Sequence, residues 1–148
     1  MNTEALTVLE FSKIRDFFQQ ESGIRLAESK KSLVCGRLNS RLRALKIPSY
    51  QAYLSYISEP QHSIERQLAI DLLTTNETYF YREPKHFIFL TEYLQNWTSE
   101  RTPVIWSAAC SSGEEPYTLA MLMAERFGTR PWQILASDLS QRMLTTAR

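Results

Sequence analysis

Apolar residues recur at helical spacing through the first half of the chain. Val8, Phe11, Ile14 and Phe18 form one stripe, and Gly23 is placed to stop that helix. Leu33, Val34, Leu38, Leu42 and Leu45 form a second stripe. Tyr50, Tyr53, Leu54 and Ile57 form a third, behind a Pro48-Ser49 start whose serine hydroxyl suits a first-turn cap. Ile64, Leu68 and Leu72 define the buried face of a fourth helix. Residues 1–73 therefore read as a small all-α domain, with turns at Pro48 and Pro60.

The pattern changes near Thr74. Thr74 to Arg82 runs from small polar residues through three aromatics, Tyr79, Phe80 and Tyr81, to a cation. At least one of these aromatics is expected in the core, and another over a bound ligand. Pro84 is placed to open a helix that buries Phe87, Leu90 and Leu94. After Pro103, Val104 to Ala108 reads as a short buried strand, followed by the small-residue loop Ala109 to Gly113. Pro116 starts a helix with Leu119, Leu122 and Met123 inward and Gly128 at its end. Gln133 to Ser137 is a second strand ending at Asp138, and Ser140 caps a last helix. Strand, loop, helix, strand, acid is the opening of a doubly wound sheet. The fold class is thus α/β, an all-α domain followed by the start of a Rossmann-like domain over residues 74–148.

Charge alters this picture in one place. The chain of 148 residues carries 17 Lys+Arg against 16 Asp+Glu, so binding by net charge alone is excluded. Yet Arg25 to Lys46 holds seven basic residues and a single acid, Glu28, which leaves the remainder net acidic. On a helical projection Lys30, Arg37 and Arg41 form a narrow ridge beside the apolar stripe. The ridge reads either as a solvated face or as a docking surface for an acidic partner. Nucleic acid is disfavoured as that partner, because no aromatics interleave with the cations. No apolar run reaches the ~20 residues of a membrane span, and Met1 to Glu10 lacks the pattern of a signal peptide. Cys35 and Cys110 lie far apart and only His62 and His86 are present, so neither a disulfide framework nor a metal site is expected. The expectation is a cytoplasmic protein, not inserted in a membrane and monomeric.

The loop and the acid carry the chemistry. In doubly wound folds an acid at the end of the second strand accepts hydrogen bonds from a ribose diol, ~20 residues beyond the loop. Asp138 stands at that spacing from Gly113, although it also suits a helix cap beside Ser140. A dinucleotide site needs three glycines to seat a pyrophosphate. This loop has one, followed by Glu114 and Glu115, whose charge would repel phosphate, and no P-loop motif occurs. An acid there suits a cationic, phosphate-free nucleoside such as S-adenosylmethionine. It equally suits the positive end of a helix dipole.

Three segments, TTNETYFYRE (Thr74 to Glu83), IWSAACSSGEEPYTLA (Ile105 to Ala120) and ILASDLS (Ile134 to Ser140), resemble the chemotaxis receptor methyltransferases of the CheR type. The basic helix KKSLVCGRLNSRLRAL resembles that family's N-terminal domain, so the likeness spans nearly the whole chain. Ser112 departs from the threonine often found there and keeps the hydroxyl.

The resemblance implies methylation of glutamate side chains on chemoreceptor cytoplasmic helices, with S-adenosyl-L-methionine as donor and S-adenosyl-L-homocysteine as product. It implies cofactor contacts from Asn76, Thr78, Arg82, Glu115 and Asp138, with Arg82 also the candidate catalytic residue. A guanidinium there suits a bidentate grip on the methionine carboxylate, and it would lower the pKa of an incoming glutamate. The bland reading of Arg82 is an exposed cation at a helix start. Lys30, Arg37 and Arg41 become candidates for docking acidic receptor helices. A methyltransferase sheet of this kind has about seven strands, a property of the family, and only two are legible here. The expectation is therefore a truncated product, and the alternative to an enzyme is a catalytically incomplete docking module.

Overall fold

The computed structural model describes residues 6–148, which divide into two compact units on either side of the Thr75–Asn76 bond. The first unit holds α1 (Val8–Ser22), α2 (Lys31–Leu45), α3 (Tyr50–Ser58) and α4 (Ser63–Leu73). Local chemistry sets each boundary. Thr7 and Glu10 form a reciprocal capping box at the start of α1, and Gly23 ends it in a left-handed conformation, φ 75°. The Ser49 hydroxyl accepts from the Ala52 N–H and starts α3. The core combines Phe11, Ile14 and Phe18 with Val34, Leu38 and Leu42, then Tyr53, Ile57, Ile70 and Leu73.

Two expected apolar faces are corrected. Val8 is the first residue of α1 and lies in solvent. On α4 the stripe is rotated: Ile64 is 80% exposed and Leu68 39%, while Glu65, Ala69, Ile70 and Leu73 face inward. The cause is a buried polar cluster. Arg41 grips Glu65 with Nε to Oε1 at 2.8 Å and Nη2 to Oε2 at 2.6 Å. The Tyr53 hydroxyl donates to the same Oε1 at 2.8 Å. A carboxylate that is only 8% exposed must have such partners, and satisfying it turns α4.

This also changes the reading of the basic ridge. Arg41 belongs to the Glu65 cluster, and Arg37 donates from Nη1 to the carbonyls of Leu72 and Thr74, both at 2.9 Å, at the C-terminal end of α4. Both arginines join α2 to α4 because an amphipathic edge places long cationic side chains over the neighbouring helix end. Lys30, in the short turn before α2, is exposed.

The second unit holds α5 (Pro84–Gln95), β1 (Val104–Ala108), α6 (Glu114–Phe127), β2 (Gln133–Ser137) and α7 (Gln141–Thr146). The strands are parallel with Ile105 opposite Ile134 and Trp106 opposite Leu135, joined through α6. Leu94, Met123 and Phe127 pack with Ile105, Ile134, Trp97 and Trp132, so one sheet face is covered. The other is open: Trp106 is 67% exposed, and Val104 and Leu135 are exposed beside it. The expectation of a buried first strand thus holds for Ser107 and not for the strand as a whole. The helical unit followed by a parallel β-α-β start is the architecture of an incomplete Rossmann-like domain behind an all-α domain.

The buried cluster makes stability depend on acid. Burial pushes the Glu65 carboxyl up, but hydrogen bonds from Arg41 and Tyr53 and the Arg41 charge outweigh it and hold the group below its ordinary 4.5. Its contribution is full above 4.5 and is lost as pH falls through the lower folded value. Denaturant melts stepped through that window should show a steeper acid loss for the parent chain than for Glu65→Gln. Arg41→Ala should lower stability at neutral pH by about 2–3 kcal/mol, and Arg41→Lys by less.

Candidate functional site

The site of the second unit begins where β1 ends. A parallel strand feeding a helix needs a tight reversal, and Ala109 (φ 75°), Ser111 (φ 49°) and Gly113 (φ 106°) make it in left-handed backbone. Tyr81 and Glu83 in the aromatic segment take the same conformation, both at φ 58°. Of the five non-glycine residues with positive φ among the described residues, four lie in these two loops. Each such residue costs about 1 kcal/mol or more, so the surroundings must impose them.

The imposing contacts come from the end of β2. The Ser137 carbonyl accepts from the N–H groups of Ala109 at 2.8 Å and Cys110 at 2.9 Å. The Asp138 carboxylate continues the series: Oδ2 accepts from the Ser111 N–H and Oδ1 from the Ser140 N–H, both at 2.8 Å. The cap of α7 is Ser140, whose hydroxyl accepts from the Met143 N–H. Asp138 therefore clamps the β1 loop to the β2 turn instead of capping the helix directly. Each oxygen keeps a further lone pair.

The two carboxylates at the start of α6 have separate roles. Glu114 accepts from the Ser112 hydroxyl at 2.8 Å. Glu115 accepts at 2.6 Å from Ser107, a buried hydroxyl near the end of β1. Both lie in the first turn and are favoured by the helix dipole. The helix starts at Glu114, ahead of the expected Pro116, because Gly113 supplies the turn. The buried Cys110 thiol is pushed up by burial and then by the charges of Asp138 and Glu115. The charges of Asp138 and Glu115 therefore both reach one loop residue.

The aromatic segment joins this loop through Asn76. The Asn76 carbonyl accepts from the Ser111 hydroxyl at 2.9 Å. Thr78 lies partly buried further along. Arg82 is exposed, with its guanidinium folded back onto the Glu77 carbonyl of its own segment. The structure thus brings Asn76, Glu115 and Asp138 to the loop, with Thr78 and Arg82 on the segment that Asn76 opens. Tyr79, Phe80 and Tyr81 are all exposed, which corrects the expectation that one is core. Tyr81 instead meets Phe87 edge-on, with ring centroids 5.6 Å apart.

Two polar residues escaped the sequence reading. Ser111 links the loop to Asn76, and Thr118, 0% exposed, receives the Tyr81 N–H at 3.3 Å while donating to the Glu114 carbonyl. The available signal for Thr118 was a polar residue on the otherwise apolar inner face of α6. A groove of about 160 Å³ lined by Thr91, Leu94, Gln95, Leu122, Glu125 and Arg126 shares no residue with this cluster. Lys30, Arg37 and Arg41 belong to the helical unit and are described there.

The carboxylates of Asp138 and Glu115 are both anchored beside a loop that carries one glycine and no lysine or arginine, and each oxygen of Asp138 keeps acceptor capacity for a hydroxyl or amino donor.

The profile described as "CheR methyltransferase, all-alpha domain" matches residues 9–74, and "CheR methyltransferase, SAM binding domain" matches residues 76–148. The chain belongs to the CheR methyltransferase family. It is 41% identical over 146 residues to a "Chemotaxis protein methyltransferase" of Escherichia coli, covering 97% of this chain and 50% of that protein. It is 41% identical over 143 residues to "Chemotaxis protein methyltransferase 2" of Pseudomonas aeruginosa, covering 94% of this chain and 50% of that protein. A Borreliella burgdorferi relative with the first name is 38% identical over 156 residues, 97% of this chain and 54% of its own. The chain spans about half the length of these relatives.

Gly113 is required twice. Its φ disfavours any side chain, and an added Cβ would lie 3.3 Å from Ala147 Cα and Cβ and from Tyr117 Cδ2. Gly113→Ala should destabilise the second unit by about 1–3 kcal/mol, read as a lower thermal midpoint.

Proposed function

We propose that the chain carries the cofactor-binding start and the receptor-docking domain of an S-adenosylmethionine-dependent methyltransferase acting on glutamate side chains of chemoreceptor helices. The single observation that carries the cofactor reading is Asp138. Its carboxylate is fixed by two backbone N–H groups at the end of β2 and retains acceptor capacity for a ribose diol. Glu115, in the first turn of α6 and fixed by Ser107, offers a second acceptor beside the same loop to an amino or hydroxyl donor. Asn76, Thr78 and Arg82 supply the polar contacts of the neighbouring segment.

S-adenosylmethionine, when bound, supplies a methyl group on a sulfonium leaving group. The residues of this chain then have three tasks. Asp138 and Glu115 hold and orient hydroxyl and amino groups. Arg82 binds a carboxylate once its guanidinium turns from the Glu77 carbonyl, and its charge keeps a substrate glutamate ionised, which is the nucleophilic form. The exposed rings of Tyr79 and Phe80 lie on the same segment and can screen the site from water. Alignment and electrostatics account for the acceleration, without a covalent enzyme intermediate.

Docking is proposed for the cationic edge of the helical unit. Lys30 is its exposed member and Arg37 adds charge from a position braced on the carbonyls of Leu72 and Thr74, while Arg41 lies on the same edge with its charge offset by Glu65. An acidic helix is the complementary partner. No helix among the described residues is long and apolar enough to cross a membrane.

Calorimetric titration with S-adenosylhomocysteine tests the cofactor reading. The parent chain should bind, and Asp138→Ala should weaken binding at least about tenfold. Absence of binding by a demonstrably folded parent chain overturns it. For docking, Lys30→Glu should weaken capture of an acidic receptor peptide by about two- to fivefold at low salt, an effect that fades as salt is raised. Equal capture at low salt rejects Lys30 as a contact.

A further inference from the structure

We propose that Ser111 is a positioning residue that holds the Asn76–Arg82 segment, and with it the amino-acid half of the cofactor, against the strand-end loop. The proposal rests on the cofactor reading above. Ser111 is 6% exposed and sits in left-handed backbone at φ 49°, where a glycine would be free of strain and a serine is not. Its two polar groups point to two different parts of the site. The N–H goes to Asp138 Oδ2 at 2.8 Å, and the hydroxyl goes to the Asn76 carbonyl at 2.9 Å.

Neighbouring hydroxyls do not share this task. Ser112 holds Glu114, and Ser107 holds Glu115. The backbone bond fixes Ser111 relative to the acid proposed for the ribose, and the side-chain bond passes that position on to the peptide plane of Asn76. From there the chain turns through Tyr81, whose N–H is received by Thr118, to Arg82. A segment tied near both ends, by Ser111 and by Thr118, has little freedom to drift, and its contacts with a ligand are preorganised. Removing the hydroxyl frees one end of that segment and leaves the Asp138 clamp in place.

The two bonds are therefore separable by experiment. Ser111→Ala loses the hydroxyl and keeps the N–H. Ser111→Gly also loses the hydroxyl but relieves the left-handed strain. S-adenosylhomocysteine should bind both variants about five- to tenfold more weakly than the parent chain. Adenosine lacks the amino-acid half and should bind all three within about twofold, because its proposed partner Asp138 is untouched. Hydrogen exchange in the ligand-free chain gives a second, independent reading: amides of residues 77–82 should exchange faster in both variants, with the Ser140 amide unchanged.

Equal weakening of both ligands would mean a general loss of structure and would overturn the proposal. So would restoration by Ser111→Gly, which would make strain the cause. If the parent chain binds neither ligand, the cofactor reading fails while hydrogen exchange still decides the tether. Unaccelerated exchange at residues 77–82 overturns it.

Discussion

The second unit depends on one carboxylate accepting hydrogen bonds from main chain on both sides. A tight loop between a parallel strand and its helix cannot satisfy all its own N–H groups. Here Gly113 bonds back to the Cys110 carbonyl, while the N–H groups of Ala109, Cys110 and Ser111 need partners from elsewhere. Asp138 and the carbonyl beside it satisfy these three from the end of the next strand. That arrangement lets Ala109 and Ser111 occupy left-handed backbone without glycine. The same acid then ties down the turn into α7 through Ser140. The geometry of both loops follows from the placement of one side chain, so a group already immobilised by structural bonds stands ready as an acceptor.

The helical unit solves a parallel problem with charge. Glu65 is inside because Arg41 and Tyr53 meet it there, and the rotation of α4 that follows puts Ile64 and Leu68 outside. The cations that pattern alone marks as a surface ridge thus have two kinds of work. Some brace helices, as Arg37 does at the end of α4, and others such as Lys30 stay in solvent. Burial and then the bond to Glu65 raise the Tyr53 hydroxyl above its ordinary value, the Glu65 bond raises the Arg41 guanidinium, and Glu65 itself is lowered because its donors outweigh its burial.

Most elements were legible in the sequence because their boundaries are local. Gly23, Ser49, Pro84, Gly128 and Ser140 each act through their own cap or turn, and both strands are read from short apolar runs bounded by breakers. What escaped was tertiary. Apolar spacing on α4 could not reveal that a carboxylate would outrank leucine for the inner face. Nor could it show that the open sheet face would leave Trp106 in solvent. In the candidate site the acid was legible as an acid beside the loop, since strand-end spacing marks Asp138. Ser111 and Thr118 were not, because a serine or threonine acquires its role only from the backbone group brought opposite it.

Among the described residues each strand pairs with only one neighbour, so β1 and β2 each keep a free edge beside the uncovered Val104, Trp106 and Leu135. An unpaired strand edge with an apolar flank is a template for further strands. Val104, Trp106 and Leu135 are thus the surface on which a further layer would bury apolar area.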